Sequence, residues 1–180
     1  MNRVEEPQFR IRRQTAREAG LWYLAMAVTG PIGIMYAPSR IHVAGDAAAT
    51  AAALLANETL ARVGVAASIV CQVTFIFLVS ALVRLFKEVD EKLSRLMFGL
   101  VIAAVPVALL NELFVLGALE LAHTGGQATL ALGLMNVHHL WAAVMCGMFW
   151  GLWLLPFGML VIRSGFIPKI LGVLLMIGGG

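Results

Sequence analysis

Long apolar runs separated by short polar connections set the pattern of this chain. A helical crossing of a bilayer needs about 20 mostly apolar residues, and residues 19–37, 61–85, 96–119 and 130–162 each supply a run of that order. The first run is interrupted by Gly30-Pro31-Ile32-Gly33, where a proline lacking a backbone donor predicts a kink. The second carries no charge between Arg62 and Arg84, and the third holds Pro106, Asn111 and Glu112. The fourth is long enough to tilt or to begin above the membrane, with Pro156 near its end. A fifth run opens at Pro168, a favoured first-turn position, and reaches Gly178-Gly179-Gly180. Its 13 residues are too few to cross alone, so this span is expected to stop part-way or to continue beyond Gly180.

The connection over residues 39–60 is more than a loop. Gly45-Asp46 precedes the alanine-rich stretch 47–56, and an aspartate there can accept from exposed backbone N–H groups as an N-cap. A short helix is therefore expected on the outer face. The predicted fold is all-α: a multi-spanning transmembrane helical bundle of about five spans, the last incomplete, plus that outer-face helix. Residues 1–18 read as a basic cytoplasmic segment and 19–180 as a single transmembrane domain without internal repeats. Gly147-xxx-Gly151 in the fourth span predicts close approach by another helix.

Composition agrees with this reading. Of 180 residues, 61% are hydrophobic and 13% charged, with a mean hydropathy of +0.90; a soluble domain carries about 25% charged residues. The net charge of +3 could suggest an acidic partner, but the positions of the charges say otherwise. Arg3, Arg10, Arg12, Arg13 and Arg17 precede the first span; Arg84, Lys87, Lys92 and Arg95 lie between spans two and three; Arg163 and Lys169 lie between four and five. The alternate connections hold only Arg40 and Arg62. That asymmetry places the N-terminus in the cytoplasm by the positive-inside rule, and it is not a nucleic-acid patch. Trp22, Tyr23 and Tyr36 fit interfacial anchoring. Cys71 and Cys146 sit inside apolar runs without metal-type spacing and read as small packing residues. The N-terminus reads as an uncleaved anchor, because its charged stretch is long and the first run can span.

Ionisable groups inside spans normally face the bundle interior, since burying them in hydrocarbon costs several kcal/mol. Here these are Glu112, His138 and His139, with polar company from Asn111, Asn136 and Gln72. Glu112 lies 13 residues before Gly125, and His139 lies 13 after Gly126. An antiparallel helix pair turning at those glycines brings the two to similar height in the outer half of the membrane. Gln72, 10 residues beyond Arg62, joins the same layer. Asn136 and His139 share a helix face, whereas His138 is turned about 100° away. One histidine is therefore expected to face the bundle and the other a neighbour or the lipid interface.

Three readings fit these residues. They can be polar glue between helices, at about 0.6–2 kcal/mol per hydrogen bond. They can orient a lipid, quinone, pigment or other small apolar molecule. They can also form an intramembrane acid–base or metal site, with a Glu112–histidine pair moving protons and His42, Asp46 and Glu58 reaching in from the loop. No HExxH or comparable metal spacing supports the last, which leaves His42, His138 and His139 as the candidate ligands. The cofactor is left open. Partners are the lipid bilayer, and an apolar ligand or other membrane subunits.

Several stretches resemble a widespread bacterial membrane family, domain-of-unknown-function family 4386. Gly45-Asp46-Ala47-Ala48-Ala49-Thr50-Ala51, followed by Asn57-Glu58-Thr59-Leu60-Ala61-Arg62-Val63-Gly64, resembles its outer-loop motif. Leu82-Val83-Arg84-Leu85-Phe86-Lys87-Glu88-Val89 is similar to the end of its second span. Arg163-Ser164-Gly165-Phe166-Ile167-Pro168-Lys169-Ile170-Leu171-Gly172-Val173-Leu174-Leu175 is similar to its closing signature and is the most specific element. The family tends to carry an acidic residue two before a histidine at the top of span four. Asn136 and His138 stand in those places here, so a charge is lost and the imidazole is doubled by His139. The resemblance implies the membrane fold and an outer-facing site built from Asp46, Glu58, Arg62 and His138. Arg62 would pair with Glu58 at the i, i+4 spacing.

Overall fold

The computed structural model describes residues 5–179, apart from the side chains of residues 5–11 and 145–146. Arg3, Gly180 and the side chains of Arg10 and Cys146 thus lie outside the described residues. Helix α1 (Glu5–Gly30) passes through a π-helical stretch, Pro31–Tyr36, into α2 (Ala37–Ile41). It is followed by α3 (Ala47–Ala56), α4 (Glu58–Phe86) and α5 (Glu91–Thr124). After a turn come α6 (Ala128–Trp141), a second π-helical stretch (Ala142–Cys146), α7 (Gly147–Leu152), α8 (Leu154–Ser164) and α9 (Lys169–Gly179). No strand occurs among the described residues.

Four stretches are long and apolar enough to cross a membrane: Arg12–Ile41, Glu58–Phe86, Glu91–Thr124 and Ala128–Ser164. They correspond to the four full-length spans expected from the apolar runs. The fifth, α9, has 11 helical residues. Pro31 falls where the kink was expected, and the chain absorbs it by widening to a π-helical turn. Pro106 is accommodated inside α5. The turn between α5 and α6 runs through Gly125 and Gly126, both in the left-handed region with φ of 69° and 70°, which a side chain disfavours.

The chain divides into two compact units. The first comprises the described part of Met1–Ala25, Thr74–Ala104 and Met148–Gly180; the second comprises Met26–Val73 and Val105–Gly147.

In the first unit, α9 folds back on α7 and α8 about Gly165. A Cβ placed on Gly172 would stand 2.7 Å from the Gly158 carbonyl oxygen, and one on Gly151 2.8 Å from that of Gly179. Both pairs are centred on residue 165, so glycines seven apart on each side form one antiparallel seam. Gly147 has nothing within 4 Å. The close approach expected of Gly147-xxx-Gly151 therefore occurs at Gly151 alone, because seven residues return to the same helix face after two turns. Aromatic rings fill the unit: Trp153 stacks on Phe157 at 5.4 Å and meets Phe75 edge-on at 5.0 Å, while Phe86 stacks on Phe166 at 5.6 Å. Trp22 stacks on Phe77 at 5.0 Å, packing inside the unit rather than standing free as an interfacial anchor. Tyr23 and Tyr36 are exposed.

The same unit gathers the basic connections. Arg12 pairs with Glu88 at 2.6 Å, Arg84 with Glu18 at 2.6 Å, and Arg163 with Asp90. These three ion pairs tie the start of α1, the α4–α5 turn and the end of α8 to one another.

In the second unit, the π-helical stretch and α2 lie against the first turns of α4. A Cβ on Gly33 would stand 2.8 Å from the Gly64 carbonyl oxygen and would collide with the Ser68 hydroxyl; one on Gly64 would collide with the Ala37 methyl. Cys71 is buried beside Thr29 and Gly30 at the end of this seam. Helix α3 begins at Asp46, whose carboxylate accepts from the Ala49 N–H at 2.9 Å, the cap expected from the sequence. Thr50 folds back on Val43, accepting from its N–H and donating to its carbonyl, which closes the α2–α3 connection. Leu54 of α3 joins Ile41, Ala61, Val65, Val115, Leu119, Ala131 and Met135 in one apolar core.

Candidate functional site

The second unit holds a half-open cleft. Gly33, Ala37, Pro38 and Ile41 form one wall, Ala61, Gly64 and Val65 of α4 another, and Glu112 and Val115 of α5 with His138 of α6 a third, which carries the two polar side chains. It exists because Gly33, Ala37 and Gly64 have no bulk beyond Cβ, so backbone approaches backbone without filling the groove. Its enclosed part is no larger than a water molecule. A drug-sized pocket runs to about 300–1,000 Å³, whereas the enclosed part here admits no more than a water-sized group.

His138 is 5% exposed, and its Nδ1–H donates to the Asn111 carbonyl at 3.2 Å. That bond selects the tautomer with an open Nε2 lone pair, and Nε2 makes no hydrogen bond among the described residues. Glu112, a residue on from Asn111, faces the Ser68 hydroxyl of α4. The approach is too loose to count as a formed bond, since the Ser68 oxygen is buried without a partner. Two more buried oxygens are equally unpartnered: Gln72 Oε1 and Asn111 Oδ1. Buried polar atoms are nearly always satisfied in native proteins, and exceptions cluster where a ligand, ion or water belongs.

Outside the cleft, the imidazoles continue. His139 is exposed and lies on the other side of α6, with its ring 5.7 Å from that of His138. The His42 ring packs on His139 at 4.3 Å, and its Nε2 meets Asn136 Oδ1 at 2.9 Å. Asn136 and His139 thus share a helix face, and His138 turns inward. Ala142 N–H is shared between the carbonyls of His138 and His139, so the second π-helical stretch begins directly beneath the pair. Trp141 donates its indole N–H to the Val107 carbonyl at 3.3 Å, fastening α6 to α5 below the histidines.

The remaining residues implied by the resemblance lie elsewhere. Asp46 is occupied as the α3 cap. Glu58 binds Arg62 at 2.8 Å and His123 at 3.1 Å, so the expected i, i+4 pair gains a histidine from α5. Neither Asp46, Glu58 nor Arg62 lines the cleft with His138. Gln72 is buried one turn beyond Ser68 on α4 and also stays outside the lining. Among the described residues, no group of three or more His, Cys, Asp or Glu side chains is arranged to hold a metal. His42, His138 and His139 are brought together, but as tilted and edge-on rings and not as a group of metal ligands. Sequence reasoning missed the Gly33–Ala37 wall and the Ser68 hydroxyl. The small-residue spacing of Gly33-xxx-Ala37 and Gly64-xxx-Ser68 was the signal available.

Four apolar helices of crossing length and a half-open cleft that carries Glu112 and His138 define a helical integral membrane protein. The chain belongs to the family described as a domain of unknown function (DUF4386), which matches residues 19–180. No curated protein and no solved structure matches it.

Proposed function

We propose that this protein engages the polar end of an apolar membrane molecule in the cleft of its second unit, as a binding protein or as an accessory subunit of a larger membrane complex. The observation that carries this reading is that Glu112 and His138, the latter with Nδ1 held by the Asn111 carbonyl, both line one half-open cleft walled by small apolar residues. A ligand hydroxyl or carbonyl would meet both a carboxyl and an imidazole there, while its apolar body lies against the exposed hydrophobic side chains in lipid. In this reading residues 19–180 act as a single transmembrane domain of the bacterial inner membrane, and residues 1–18 form its cytoplasmic basic segment. The skew of Lys and Arg toward the N-terminus and the α4–α5 and α8–α9 connections supports that orientation.

A second reading has one observation in its favour. His138 is anchored through Nδ1, which leaves Nε2 as the neutral acceptor required of a general base beside a carboxylic acid. In that case the cleft is an intramembrane acid–base site.

The test is protein purified in mild detergent from its native membrane, followed by an absorption spectrum, elemental analysis and mass spectrometry of the extract. A stoichiometric apolar species, lost in Glu112→Gln while the protein stays folded, supports binding. A folded protein that yields no bound species and no partner subunits overturns it.

A further inference from the structure

We propose that His138, His139 and His42 form a proton path between the Glu112 carboxyl in the cleft and the aqueous surface at the α2–α3 connection. The groups follow one another in space. Glu112 and His138 line the same cleft, the rings of His138 and His139 are 5.7 Å apart, and those of His139 and His42 are 4.3 Å apart. His138, at the cleft, is buried, whereas His139 is exposed and His42 half-buried. The far end is wet, because the exposed charges of Arg40 and Asp46 flank His42 in sequence and a charged side chain in hydrocarbon is costly.

The hydrogen bonds leave open the nitrogens that a path needs. At His138 the Nδ1–H is held by the Asn111 carbonyl, so a proton enters and leaves at Nε2. An amide oxygen only accepts, so His42 donates Nε2–H to Asn136 and keeps Nδ1 as its acceptor. His139, exposed and without a hydrogen bond among the described residues, keeps its ring nitrogens open between its two neighbours. The proton leaves the Glu112 carboxyl, is held in turn by each imidazole as the imidazolium, and is released to water at His42. Charge balances at each step, and nothing is oxidised or reduced. No fixed cation or carboxylate interrupts the series. Arg40 lies over the Tyr36 ring, Asp46 caps α3, and Glu58, Arg62 and His123 form a separate group on α4 and α5. The path is independent of whether the cleft takes a ligand.

Infrared spectra of the full chain in lipid vesicles can follow the carbonyl band of protonated Glu112, identified by its disappearance in Glu112→Gln. On transfer to D₂O the band shifts as the carboxyl proton exchanges. Exchange is expected to be about 10²-fold slower in His139→Ala, the loss typical of removing one imidazole acid–base group, and to recover when free imidazole is added. His42→Ala gives the same comparison at the exposed end should the first variant misfold. An exchange rate equal to that of the parent, a slowing that imidazole does not reverse, or a spectrum with no Glu112 band overturns the proposal. Because the vesicles carry no added ligand, such a failure leaves the binding reading standing, and failure of binding leaves the exchange rate as measured.

Discussion

Gly158 and Gly172 exclude each other's side chains: a Cβ on either would stand 2.7 Å from the carbonyl oxygen of the other. The contact is between backbones, so no rotamer change relieves it. Gly172→Ala should therefore push α8 and α9 apart and destabilise the first unit by about 1–3 kcal/mol, as for overpacking of a dense core. Gly147→Ala, with open space around its Cβ, should be neutral or slightly stabilising through helix propensity. Unfolding of both variants by denaturing detergent, monitored by helical circular dichroism, makes the comparison. Equal stabilities would show that the seam does not hold these helices.

The cap on α3 offers a local test. Asp46→Ala removes the acceptor of the Ala49 N–H and should cost about 1 kcal/mol, whereas Asp46→Asn should keep most of it. Amide hydrogen exchange across Ala47–Ala56 is the measurement. Faster exchange confined to the first turn in the alanine variant is the expected result.

Asp90 gives a pH dependence of definite sign. Its carboxylate accepts from the Leu93 N–H at 3.0 Å and pairs with Arg163. These contacts, the backbone N–H first, hold its pKa below the ordinary carboxylate value. A group depressed in the folded state stabilises fully above its unfolded pKa of about 3.9, and that contribution disappears as pH falls through the lower folded value. The first unit should lose stability on acidification below about pH 4. Asp90→Asn, which retains an acceptor for Leu93, should flatten that part of the profile. A profile unchanged by the substitution would remove Asp90 from the account.

Glu58 should matter little to stability despite its two partners. Its pairs with Arg62 and His123 are partly exposed, and exposed pairs gain little once solvent and salt screen them. Glu58→Gln is expected to change stability only slightly, an effect that salt should erase. A larger, salt-insensitive loss would mean that the cluster is shielded from water.

Much of the fold was legible in the chain because lipid imposes a length and a composition on anything that crosses it. The four long spans, the proline-marked break in the first, the glycine turn before α6 and the capped α3 all follow from local rules. The opposed faces of His138 and His139 follow too, since adjacent helical residues point about 100° apart. What the tertiary structure decided depends on which small residues meet. Gly147-xxx-Gly151 reads as a packing motif, but only Gly151 finds a partner, because the antiparallel return of α9 about Gly165 selects glycines seven apart. The cleft arises in the same way, where Gly33 and Ala37 come against Gly64 and Ser68. Glu58, Arg62 and Asp46 were expected beside His138, yet their bonds hold them in a salt bridge and a helix cap, and none lines the cleft. Hydropathy and helix period are properties of one segment at a time, and the chain states them directly. Contacts between segments depend on how closely two backbones approach, and that is settled only when both helices are in place.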